Sequence, residues 1–195
     1  TTWWIWNSSD VGSIVALGLN SLFMAIIWQL FFITKRQFGS FWGYLSFVLY
    51  WIAFEYLHLN WDLSWPWLTL GNVFSINYKW VQWYEFTGVL GGSLWVLVVN
   101  ILGFRLWSLH TVNKSNLKFQ KLHYQFIGAL FLPIVISYAM YASGNNEKGG
   151  NETGVVIVQP NIDPYNEKFT GMSDEDQLLK LLQLAAPKID SSTKY

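Results

Sequence analysis

Cysteine is absent from the 195 residues, which excludes a disulfide, a thiolate nucleophile and a cysteine-bound metal within this chain. Charge is scarce as well. Asp, Glu, Lys and Arg together make 12%, about half the quarter usual in soluble proteins. The formal net charge is zero, so neither a nucleic-acid partner nor a basic surface-binding arm is indicated. No Gly-Lys-Ser/Thr phosphate loop and no Gly-x-Ser-x-Gly elbow occurs. His58, His110 and His123 have no metal-ligand spacing between them, and no repeat of solenoid period is present. No metal or cofactor is expected.

What the chain has is apolar and aromatic. Hydrophobic residues reach 52%, with 13 tryptophans, far more than a soluble core uses and in keeping with rings that gather at membrane–water interfaces. Trp3, Trp4 and Trp6 precede residues 11–33, which carry no ionisable side chain. A helix of that length crosses the roughly 30 Å hydrocarbon layer. Further spans are expected at about 41–57, 88–107 and 124–142, the last with Pro133 as a kink. All must be helical, because unpaired amides in lipid are too costly. The first connection carries Lys35 and Arg36, and the third carries Arg105, Lys114, Lys118 and Lys121 without an acid. By the positive-inside rule these face the cytoplasm, and the loop 60–87 and everything after Ala142 face the other side.

Residues 143–153 form a Gly/Asn-rich linker. Gly154 to Gln159 reads as a buried strand, Pro160 to Thr170 as a loop, and Ser173 as the N-cap of a helix with Asp176 as the capping-box acid. Leu178, Leu181, Leu182 and Ala185 recur at helical spacing and would bury one face against a sheet; Pro187 closes the helix. The chain opens at Thr1 without an initiator methionine and stops at Tyr195 just after this helix, so it reads as an internal fragment.

Four constellations stand out as candidates. Glu55 and His58 share a helical face at the end of the second span. They read either as a hydrogen-bonded interfacial pair or, since ionisable groups at membrane depth are costly, as a functional one. Trp65-Pro66-Trp67 lies in the most aromatic segment, which forms either an interfacial belt or a re-entrant wall beside a lipid headgroup. Gly88, Gly91, Gly92 and Ser93 resemble a small-residue helix-packing face. Asn161, Asp163, Glu167 and Lys168 follow the expected strand, where α/β folds often shape a site; a solvated loop is the alternative.

Taken in order, TTWW with NSLFM (Asn20 to Met24), FEYLHLNWDLSWPWLTLGN (Phe54 to Asn72), TGVLGGS (Thr87 to Ser93) with Asn100, and VVIVQPNIDPYNEKF resemble the bacterial apolipoprotein N-acyltransferase family. That resemblance implies an eight-helix membrane domain in the bacterial inner membrane, with a periplasmic nitrilase-like αββα domain inserted before the last helix. This chain would supply four transmembrane helices (residues 1–142) and the first strand and helix of an α/β nitrilase-like domain (residues 154–195). It implies an acyl chain moved from a phospholipid to the α-amino group of a lipoprotein's diacylglyceryl-cysteine, by a monomer, through a cysteine thioester. The family's catalytic glutamate, lysine and cysteine have no counterparts here. Lys168 and Phe169 match its lysine–aromatic pair, where the commoner aromatic is tryptophan. Asn161, Lys168, Phe169, Trp65, Pro66, Trp67 and Glu55 become candidates for the border of a substrate pocket. Alternatives are a transporter or scaffold with an outward α/β appendage, or another nitrilase-family membrane acyltransferase or amidase.

Overall fold

The computed structural model describes residues 6, 9–61, 66–111, 117–144, 154–163, 166–168, 171–191 and 193. The chain divides into two compact units, Leu17–Glu147 and Thr1–Ala16 with Lys148–Tyr195.

The larger unit is built on three long helices. The first, α1, runs Asp10–Leu59 and is interrupted only at Gly39, whose φ of 86° and ψ of 176° lie where a side chain is not tolerated. The break folds the helix back on itself. Trp28 and Phe47 stand 19 positions apart, about 28 Å along a straight helix, yet their ring centroids are 4.9 Å apart. Phe31 meets Tyr44 at 5.7 Å and Phe23 meets Phe54 at 5.9 Å, an antiparallel register centred near the glycine. The arms approach closely beside the turn, since a Cβ on Gly43 would run into the backbone of Lys35.

Helix α2 (Tyr84–Thr111) lies against this hairpin, and Ile27, Phe47 and Leu97 form the buried core between them. Helix α3 (Leu117–Gly144) runs through Pro133 as one helix. It joins α2 through the Trp95 indole, which donates to the Ala129 carbonyl at 2.7 Å, and through Gly103 packed on the Phe126 ring. Most other apolar side chains point outward, including Trp28, Phe32, Phe104 and Val135. Outside water, such surfaces are satisfied by lipid.

Four transmembrane helices were the sequence expectation. Among the described residues, three helices are long and apolar enough to cross a membrane. The expected loop around Lys35 and Arg36 does not open, because those residues remain helical up to Gly39 and resume after it.

The α/β expectation is overturned. No strand exists among the described residues; a single parallel bridge joins Gly154 to Thr193. Val155 to Val158 lies with alternate residues more and less exposed, Ile157 at 89%. A β-branched run becomes a strand only when a neighbour completes its ladder, and none does so among the described residues. Helix α4 (Asp174–Ala185) forms as the capping signal indicates, with Ser173 Oγ accepting from the Asp176 amide at 3.1 Å. With no sheet among the described residues to pack on, its expected apolar face stays open: Leu178 and Leu182 are more than half exposed.

Candidate functional site

The segment between the hairpin and α2 carries the most constrained geometry of the larger unit. It advances through three short 3-10 turns, Pro66–Leu68, Leu70–Phe74 and Tyr78–Trp80. Such a path leaves backbone amides and carbonyls unpaired, and buried ones must find side chains. Each long helix supplies at least one.

From α1, Glu55 is 4% exposed. Its Oε1 accepts from the Leu70 amide at 2.9 Å and from the Trp51 indole, one helical turn back, at 3.0 Å. From α2, the fully buried Ser93 hydroxyl accepts from the Gly71 amide at 3.0 Å, and the Tyr84 hydroxyl donates to the Gly71 carbonyl at 2.9 Å. From α3, the fully buried Ser137 hydroxyl accepts from the Gln82 amide at 2.6 Å and donates to the Lys79 carbonyl at 2.8 Å.

Glycine makes the approach possible. A Cβ on Gly71 would strike the Val89 carbonyl, and one on Gly92 would meet the Tyr84 hydroxyl and, at 2.9 Å, the Gly71 Cα. The small-residue face of α2 therefore receives the loop, where the sequence suggests a helix.

His58 is 7% exposed and set among rings, 5.1 Å from Phe54 and 5.3 Å from Trp61 between centroids. The expected hydrogen bond between Glu55 and His58 does not form: Glu55 Oε2 and both His58 nitrogens have no partner among the described residues. Nor, among those residues, does any group of three or more His, Asp or Glu side chains gather as a metal site. Glu55 is a backbone anchor.

The other sequence candidates divide. Pro66 opens the first 3-10 turn and its carbonyl accepts from the Asn72 side chain at 2.7 Å. Of Trp67 only the backbone is described, and Trp65 and Phe169 lie outside the described residues. Asn161 and Lys168 belong to the smaller unit. Asn161 has a positive φ of 49°, a conformation asparagine tolerates better than most. The Lys168 amide donates to the Asp163 carbonyl at 2.9 Å, and the Lys168 carbonyl accepts from the Gln177 side chain at 2.8 Å. Asp163 and Glu167 close the same turn, through the Asp163 amide on Glu167 Oε2 at 3.1 Å. Ser93, read in the sequence only as part of a helix-packing face, and Ser137, which sequence reasoning left without a role, hold the loop at two of its three anchors.

Long apolar helices, outward-facing aromatic side chains and a loop whose polar backbone is fastened by buried groups define an integral membrane protein. Residues 1–102 match the family described as apolipoprotein N-acyltransferase N-terminal domain, and the chain belongs to that family. It is 28% identical over 190 residues to the apolipoprotein N-acyltransferase of Chlorobaculum tepidum, an alignment that covers 96% of this chain and 34% of that protein. The chain thus spans about a third of the length of that relative. No solved structure matches.

Proposed function

We propose that this chain is part of an apolipoprotein N-acyltransferase, which moves an acyl chain from a phospholipid to the N-terminal amine of a lipoprotein's diacylglyceryl-cysteine. Family membership carries the reading. A cysteine thioester would hold the acyl group between donor and acceptor, and with no cysteine here that thiol lies outside these 195 residues. The contribution of this segment is to bind and position. Its apolar helices border the donor's chains, and the anchored loop 66–83 stands where a headgroup and an incoming amine would be oriented. Orientation of this kind accounts for a large share of enzymatic rate enhancement. Pro66 and the Glu55 anchor belong to that loop end, and Asn161 and Lys168 to the border of the acceptor pocket. The loop end faces the periplasm in this reading, and the basic helix ends face the cytoplasm of the inner membrane.

A chimera tests it. These 195 residues replace the matching third of the Chlorobaculum tepidum relative, and transfer from labelled phospholipid to a diacylglyceryl-cysteine peptide is measured in proteoliposomes. Transfer is expected, with a large loss on Glu55→Ala. A chimera that inserts and folds but transfers nothing would overturn the proposal.

A further inference from the structure

A cavity of about 290 Å³ opens at the opposite end of the helices from the anchored loop, between the α1 hairpin and α2. Its wall is mostly apolar, made by Trp28, Phe31, Phe47, Leu97 and Phe104 with Asn100 among them, and Lys35 stands at one end. From Lys35 to Trp28 is seven residues, about 10 Å of helix rise. Lys35 is four residues from the Gly39 turn, which must lie near a membrane surface. The cavity therefore runs from headgroup level down into the acyl layer.

Among the described residues, no carboxylate pairs with the charge at its mouth. No acid occurs between Asp10 and Glu55, nor from Phe86 through Gly144, and Glu55 sits about 24 Å along its arm from the turn. The ammonium of Lys35 lies 4.9 Å from the Tyr44 ring centroid and 5.4 Å from that of Phe31, and 3.5 Å from the Tyr44 hydroxyl. These contacts orient the ammonium at the cavity mouth and leave its charge for an anion. Arg36 is exposed beside it.

Left empty, the apolar part of this hollow would forfeit its dispersion contacts. A flexible hydrocarbon chain is the filler a bilayer supplies, and an anionic phosphate is what Lys35 attracts. We propose that this cavity binds one anionic phospholipid from the leaflet at the Gly39 end, with an acyl chain between α1 and α2 and the phosphate on Lys35. The site is separate from any donor site at the loop end, and it does not depend on the acyltransferase reading.

The test places the chain in phosphatidylcholine nanodiscs doped with phosphatidylglycerol, then identifies retained lipids by native mass spectrometry after gentle release. Phosphatidylglycerol should be retained in preference to phosphatidylcholine. Lys35→Ala should reduce that preference about fivefold, the effect of one lysine near an anionic membrane surface, and Lys35→Arg should keep it. Ile101→Trp, which fills the cavity, should lower retention of both lipids, with helicity by circular dichroism confirming that each variant folds. An unchanged lipid ratio in Lys35→Ala, no retained lipid in the parent chain, or displacement of the lipid by excess inorganic phosphate would each overturn the proposal, the last by identifying a free-anion site.

Discussion

Glu55 holds a carboxylate at a position only 4% exposed, where one oxygen serves two donors and the other has no described partner. Removing it leaves the Leu70 amide and the Trp51 indole unpaired, at roughly 1–3 kcal/mol for each buried donor. Glu55→Ala should therefore lower stability by about 2–4 kcal/mol in mixed-micelle unfolding. Glu55→Gln retains an acceptor oxygen and should lose less than half of that; equal losses would show that charge matters more than the acceptor. Glycine gives a second comparison. Gly71→Ala should displace the loop, because its Cβ meets the Val89 carbonyl, whereas nothing lies within 4 Å of a Cβ on Gly18. Gly18→Ala should be neutral or stabilising by up to about 1 kcal/mol. Similar melting temperatures for the two variants would contradict the close packing of loop on α2. The sequence singled out Glu55 but paired it with His58, whereas its partners are the Leu70 amide and the Trp51 indole. The anchoring roles of Ser93 and Ser137 were not legible, because a serine among apolar residues looks like a packing residue. Their partners are amides 22 and 55 positions away.

At the scale of elements, apolar runs located the helices but not the joint between the first two. Two basic residues read as a loop, whereas a lysine or arginine within reach of the interface can stay helical and extend its charge to water. The whole turn is carried by Gly39. Gly39→Ala should cost about 1–2 kcal/mol, the penalty of holding a side chain at unfavourable positive φ. Loss of the close approach between spin labels on Thr34 and Tyr50, whose hydroxyls stand 3.4 Å apart, would report an opened hairpin. The expected strand at residues 154–159 failed for a different reason. Local β propensity is visible in sequence, but the ladder that turns it into a strand is a non-local fact. Capping is local, and so the start of α4 was read correctly.

Across the larger unit, charge is sorted along the helices. Lys35, Arg36 and Arg105 occupy the end away from the anchored loop, whereas Glu55 and Glu85 occupy the loop end together with a single lysine, Lys79, among the described residues. Single cysteines at exposed Ser75, in the loop, and at exposed Thr111, at the far end of α2, should therefore label differently in intact cells. Ser75→Cys should react with an impermeant thiol reagent, and Thr111→Cys only after lysis. Equal reaction would overturn the inside-positive orientation.

The loop is fastened on both sides of its middle. Leu70 and Gly71 are held by α1 and α2, Lys79 and Gln82 by α3, and between them Ile76 is 88% exposed. The covalent bond at that point is thus dispensable to the arrangement of the helices. Residues 1–75 and 76–195, made as two polypeptides, should find each other in a membrane and copurify, and Ser137→Ala should weaken the pairing. A break there would turn one chain into two without dissolving the assembly.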